Sequence, residues 1–447
     1  MLSKKKLRLA QLLTFMLLAA FVFSACSPSA PAGEEEAVAP AVEVEEEAPA
    51  AEVEEEAPVE EMGPPPDTIK IGAGLQFSGW AVGDTELAHT QPYQLWVEQV
   101  NAQGGLYVKE YDTRIPVELI VYDTESDIGK TVRMYEKLIL EDQVDILLPP
   151  WATAYNFAVA PIVEQHGYPM IGTTESSEQL REALRGGQFN YYFGMWNSAK
   201  VVGTEIVELL KDVNVESAAV IFVGTTYGID QSAVATPLLA REGINVMLIE
   251  SYPLGVTDLS TLLKKIQGLN PDALLAISYP QDAMLIQEQL QVIDFNPNVF
   301  YNSLSGYPLQ RDRFGDASAE GMISEGAWNK NWDTRGSKAF YDDFWAKFDR
   351  EPAWDTAITW ASLQIWEDVV AEVGLDREAQ QDYIANTTFD TAYGKVKFTN
   401  GESYFTGDPA GAYPPLFGQW QNGVFEVVWP KEVASADLLF PKPDWPE

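Results

Sequence analysis

The stretch VDILLPPWATAYNFAVAPIVEQHGYPMIGT, residues 144–173, contains one complete structural unit. VDILLPP is a short apolar run that reads as a strand, TAYNFAVAPIVEQ has the length and spacing of a helix, and YPMIGT reads as a second strand. A strand, a helix and a strand in that order form a parallel pair with its crossover. The rhythm continues in both directions. Upstream, TIKIGAGL (68–75) and RIPVELIVYD (114–123) read as strands, and GKTVRMYEKLILED (129–142) as a helix. The segment ELAHTQPYQLWVEQVNAQGG (86–105) is a helix with Leu87, Trp96, Val97 and Val100 on its apolar side, stopped by Gly104 and Gly105. Beyond residue 200, helical patterns alternate with SAAVIFV, NVMLIES, DALLAIS and NVFYNS, four further strand candidates. Parallel strands with right-handed crossovers over this length predict an α/β protein of two doubly wound lobes. A (β/α)8 barrel is the competing arrangement.

The N-terminus is of a different kind. MLSKKKLRLAQ is basic, and LLTFMLLAAFVFSA after it is an apolar run of about fourteen residues, short for a span and suited to an export signal. Ser24 and Ala25 lead into Cys26, the only cysteine of the 447 residues, and the stretch resembles a bacterial lipobox. Residues 1–25 are therefore expected to be a lipoprotein signal peptide, with Cys26 the acylated residue. Residues 27–66 repeat EEEAP-like units; such a block of like charge with little to bury is expected to be a disordered tether. Residues 67–447 carry the fold. The chain's net charge is −38, and setting aside the four basic leader residues and the thirteen tether glutamates leaves the body at −29. Nucleic acid is an unsuitable partner for such a surface.

Several chemistries are missing. The body has two histidines, His89 and His166, without ligand spacing, and no cysteine, so no zinc site or Cys/His nucleophile is expected. In IGAGLQFSG, Phe77 stands where a dinucleotide fingerprint needs its third glycine, and Gly129-Lys130-Thr131 lacks the phosphate loop's earlier glycine, Thr124 being there. No G-x-S-x-G elbow surrounds any serine. An enzyme is not expected, nor a cofactor or metal.

Ligands of open α/β sheets sit beyond the strands' carboxyl ends. There the sequence places Gln76 to Gly83, Pro149 to Tyr155, Gly172 to Ser177, Gly224 to Gly228, Ser278 to Gln281 and Asn302 to Gly306. Hydroxyls and aromatics dominate, a mix that suits a small polar ligand held by neutral hydrogen bonds and covered by rings.

FSGWAVGDTE (77–86), VNAQGGL (100–106) and VELIVYDTESD (117–127) resemble the opening of the periplasmic leucine/isoleucine/valine-type binding proteins of ABC importers. The resemblance implies a type I periplasmic binding fold: two Rossmann-like lobes joined by a three-crossing hinge that closes on ligand. The expected N-lobe is roughly 67–190 plus 320–375, and the C-lobe roughly 191–319 plus 376–447. Carried over, the family's carboxylate-binding hydroxyls correspond to Thr153 and Ser176, and a backbone contact to Thr174. Its two second-lobe tyrosines correspond to Tyr227 and Tyr279. Val82 replaces the usual aromatic of the first loop, so Trp80 is expected to cover the ligand instead, with Trp151 beside it. Amino-acid binders place an acid where this chain has Leu304. Either Glu175 or Asp282 replaces it, or the ligand has no ammonium and is an amide, a urea-like compound or an aromatic carboxylate rather than a branched-chain amino acid. The implied function is an extracytoplasmic, lipid-anchored monomer that delivers a small solute to an ABC permease and its ATPase. A ligand sensor feeding a membrane receptor or kinase is the alternative, and a surface hydrolase a remoter one.

Overall fold

The computed structural model describes residues 63–405 and 416–446, and Cys26, the leader and most of the tether lie outside them. The first strand, β1 (Ile69–Leu75), is followed by a helix that starts at Val82, passes through a π-helical turn at Glu86–Thr90 and ends at Ala102. It begins four residues before its expected start. Pro92, which lacks an N–H, adjoins the loosened turn. Gly104 and Gly105 follow with φ of 94° and 107°, and a Cβ on Gly105 would lie 2.0 Å from the Ile115 carbonyl oxygen. Only glycine fits that stop.

A small hairpin, β2 (Leu106–Val108) with β3 (Thr113–Ile115), leads into β4 (Val117–Asp123). Strands β5 (Ile146–Leu148), β6 (Met170–Gly172) and β7 (Tyr192–Gly194) follow with helices between them. The quoted stretch is a strand–helix–strand unit, with its helix at Thr153–His166 closed by left-handed Gly167, but its strands are not the expected ladder partners: β5 pairs with β1 and β6 with β7. Asp127, Ser177 and Ser198 accept hydrogen bonds from backbone N–H groups three residues on, which sets the starts of three helices.

In the second lobe, β8 (Ser217–Val223), β9 (Asn245–Tyr252), β10 (Ala273–Ile277), β11 (Val299–Asn302) and β12 (Ile323–Glu325) alternate with helices. Every residue of β10 is buried, as befits a parallel strand covered on both faces. The late strands are β13 (Thr388–Thr391), β14 (Gly394–Thr399), β15 (Glu402–Phe405), β16 (Phe417–Gln421) and β17 (Val424–Trp429).

The sheets are open, with orders β4-β1-β5, β13-β14-β15-β7-β6 and β17-β16-β12-β11-β10-β8-β9, so the barrel does not form. Their pairing moves all three expected lobe boundaries: strand β7, just past the expected end at residue 190, pairs with β6 and stays in the N-terminal lobe. Strand β12 pairs with β11 and β16, which keeps residues 323–325 in the C-terminal lobe. Strands β13 to β15, expected there too, instead extend the N-terminal lobe: Glu402 pairs with Gly194, and the Gly194 N–H donates to the Gly401 carbonyl at 2.7 Å. Antiparallel hairpins join whichever sheet edge is free, and β7 leaves one open. The chain thus crosses after β7, after β12 and after β15. No helix among the described residues is long and apolar enough to cross a membrane.

Candidate ligand-binding site

The strand-end loops of both lobes meet at one place. The loop after β1 is fastened from below: Asp123, at the end of β4, accepts hydrogen bonds from Ser78 Oγ at 2.7 Å and from the Phe77 N–H at 3.0 Å. Gln76 ties this loop to the one after β5, donating to the Trp151 carbonyl at 3.0 Å and accepting from Thr85 Oγ1 at 2.9 Å. These bonds bring Trp80 and Trp151 together with ring centroids 5.7 Å apart. The second lobe supplies Tyr279, 4.9 Å from Trp80 and 5.5 Å from Trp151, and Tyr227, stacked 5.5 Å from Tyr279. All four rings named from the sequence are in one cluster, two from each lobe.

The three hydroxyls also converge. The Ser176 N–H donates to Thr153 Oγ1 at 3.2 Å, and the Ala152 N–H to Thr174 Oγ1 at 3.1 Å. Thr153 opens the helix Thr153–His166, which has no side-chain cap. Free N–H groups at such a helix start favour an anion. Ser176 Oγ donates to the Asn197 carbonyl at 3.0 Å and accepts from Gln231 Nε2 at 3.1 Å, which joins the lobes. Ser177 Oγ to Asp230 at 3.0 Å and Gln281 Nε2 to the Trp80 carbonyl at 3.2 Å join them again.

The backbone is strained at this point. Ala152 has φ 75° and ψ 151°, a region that belongs to glycine. Ala152→Gly is expected to raise folding stability by about 1 kcal/mol, read by chemical denaturation; a loss of stability would refute the strain.

The acids differ from expectation. Leu304 is buried two residues past the end of β11, and Glu175 is paired with Arg181. The acid beside Leu304 comes from the neighbouring strand. Glu325, last in β12, is fully buried and donates its N–H to the Ser303 carbonyl at 3.1 Å. Its carboxyl accepts from Tyr227 Oη, from Tyr301 Oη at 3.2 Å and from Gln231 Nε2 at 3.2 Å. Burial pushes it up to about 7 against the pull of those donors.

Asp282, buried in the first turn of the helix Pro280–Val292, is pushed by burial up to about 6. Asp84 and Asp355 are buried as well. Asp355 accepts from Tyr307 Oη, and burial pushes it up to about 7. Asp84 is pushed well above the carboxylate range by burial, then by the charges of Asp355 and Asp282. His89 is lowered by burial to about 3 and is neutral, with Nε2 2.9 Å from Thr173 Oγ1. No group of three His, Cys, Asp or Glu among the described residues is placed to hold a metal ion.

Sequence reasoning missed Gln231, Tyr301, Tyr307, Glu325, Asp84 and Asp355. Glu325 alone had a local signal, a glutamate closing the strand ISE before a glycine.

Residues 68–408 match the family model described as periplasmic binding protein. The chain belongs to the periplasmic binding protein family. Within this family it is similar to the Leu/Ile/Val-binding protein homolog 7 of Brucella suis, 22% identical over 393 residues, 84% of this chain and 94% of that one. Its fold is that of the branched-chain amino acid transporter substrate binding protein LivJ of Streptococcus pneumoniae, solved in complex with isoleucine. That likeness has a TM-score of 0.69 at 19% identity and covers 84% of this chain and 100% of the other. A solute binding protein of an ABC transporter from Rhodopseudomonas palustris, solved with 3,4-dihydroxybenzoic acid, superposes at a TM-score of 0.67, with 14% identity over 85% of this chain and 99% of that one. The type I periplasmic binding fold expected from the sequence is thus the fold of the chain.

Proposed function

We propose that this chain is the solute-binding component of an ABC importer and performs no reaction. It works outside the cytoplasm, as a monomer, held to the membrane by a lipid on Cys26 and handing its ligand to a permease with its ATPase. The carrying observation is the ring cluster: Trp80 and Trp151 from one lobe close on Tyr227 and Tyr279 from the other. Such a junction forms when the lobes shut, and binding free energy then selects the closed state. Proteins with this fold have been solved with isoleucine and with an aromatic acid, which supports a small solute with a carboxylate. Thr153, Ser176 and the Thr174 backbone would hold that carboxylate at the helix start. Glu325, rather than a residue at position 304, would face an ammonium on the same ligand.

A thermal-shift screen over amino acids, amides, urea and aromatic acids tests the reading, because a ligand of the native state raises its apparent stability. Replacing Thr153 and Ser176 together by alanine is expected to weaken the best-bound carboxylate by about 1–3 kcal/mol in calorimetry. Unchanged affinity would remove those two residues from the site.

A further inference from the structure

A cavity of about 320 Å³ opens between the lobes, and none of the rings, hydroxyls or buried acids of the solute site lines it. The C-terminal lobe contributes Trp420 of β16 and Phe425 of β17, with ring centroids 5.1 Å apart. The chain past β12 contributes Trp328 and, from the helix Ser337–Phe348, Tyr341, whose rings are 6.5 Å apart. Rings from two sides make a slot that suits a flat hydrocarbon body. A volume of roughly 300 Å³ is enough for a small molecule, and such pockets favour domain boundaries.

The polar groups of the wall divide into those that have partners and those that do not. Arg311 Nη1 donates to Glu351 Oε2 at 3.3 Å and to the Gly423 carbonyl at 3.2 Å, and Tyr341 Oη donates to Glu351 Oε1 at 2.8 Å. Ser435 Oγ donates to the carboxylate of Glu426. Both acids of the wall are therefore met. Lys330 is not: its Nζ stands 3.8 Å from the Tyr341 ring centroid and forms no ion pair or hydrogen bond among the described residues. The Asn331 side-chain amide forms none either, and Trp354, 3% exposed, keeps an indole N–H without an acceptor. A lysine stem laid on a tyrosine is by itself ordinary surface packing. A buried N–H left without an acceptor is costly, and that packing does not explain it. Three unmet donors around one cavity, an ammonium among them, call for a ligand that brings acceptors and negative charge.

We propose that this cavity is a second ligand site, which takes a small flat organic carboxylate, its ring among Trp420, Phe425 and Tyr341 and its carboxylate at Lys330. The site is separate from the one at Thr153 and Ser176. It goes beyond the solute-binding reading and stands or falls without it.

Calorimetry at pH 7 on the detergent-solubilised full chain tests the second site, with benzoate, indole-3-acetate, benzamide and indole-3-acetamide as probes. The background is the double variant Thr153→Ala with Ser176→Ala, in which the solute site is weakened. At least one of the two carboxylates is expected to bind this background, and to bind at least about tenfold better than its own amide. Adding Lys330→Met should weaken it at least about tenfold, while the melting temperature of the empty protein stays where it was. Lys330→Arg, which keeps the charge, should weaken it less. Binding that Lys330→Met leaves unchanged, or that the amides match, overturns the second site. So does the failure of both carboxylates to bind the double variant. A carboxylate that binds the wild-type chain and is lost with Thr153 and Ser176 upholds the solute-binding reading and sinks the second site. A carboxylate that answers to Lys330 while the wider screen yields no other ligand upholds the second site alone.

Discussion

Replacing Arg181 by methionine is expected to lower folding stability by about 3–5 kcal/mol, read by guanidinium unfolding. The guanidinium is 1% exposed; it donates to the Gly194 carbonyl at 3.0 Å, to the Trp196 carbonyl and to Glu175. Glu175 is fully buried, and burial already pushes its carboxyl up to about 7 with Arg181 in place. Without that cation a buried carboxyl and two carbonyls lose their donor together, and leaving such groups unmet is what costs. Arg181→Met combined with Glu175→Gln should recover most of the loss, because a buried pair contributes little over a neutral filling. Glu175 sits between Thr174 and Ser176, so the single variant should also weaken solute binding. A drop below about 1 kcal/mol would show that the pair is not buried in solution.

The second large effect is on pH. Asp355 and Glu325 are pushed up to about 7, Asp282 to about 6, and Asp84 well above its usual range, burial being the first cause in each. A carboxyl raised on folding binds its proton in the native state at pH values where the unfolded chain has lost it. The native state then holds the excess of protons, so stability is greatest below about pH 4 for these groups and is lost as pH rises towards 7. Glu175, pushed up to about 7 as well, adds to the fall, while His89, neutral in the native state but protonated in the unfolded chain below about 6.5, opposes it. The empty protein is expected to lose several kcal/mol net between pH 5 and pH 7, read as a falling melting temperature. Asp355→Asn should flatten the fall, since it deletes one titration; Tyr307, Tyr393 and Asp84 are the titratable groups that sense it. Above pH 7 Lys442, pushed down by burial to about 7, works in the opposite direction, so the window ends there. A melting temperature that is flat or rising across the window would refute the picture of unpaired buried acids.

The order of strands and helices was legible because it rests on local periodicity. Residues 144–173 show two short continuous apolar runs and, between them, one helix long enough to return the chain. The strand-end loops were legible for the same reason, and Trp80, Trp151, Tyr227 and Tyr279 meet as their positions after parallel strands require. Lobe membership was not. Residues 388–405 alternate and turn equally well in either lobe, and the free edge of β7 decides. The acids were illegible too, since aspartate and glutamate are common in a chain of net charge −38, and their spacing says nothing of burial. Asp84, Asp282 and Asp355 lie about 70 to 270 positions apart in the chain, and their charges meet only when two lobes and a returning helix are packed. Secondary structure and loop chemistry follow from short-range sterics and hydrophobic period. The charge at the lobe junction is set by long-range packing, because only burial turns a solvated carboxylate into one that needs a partner.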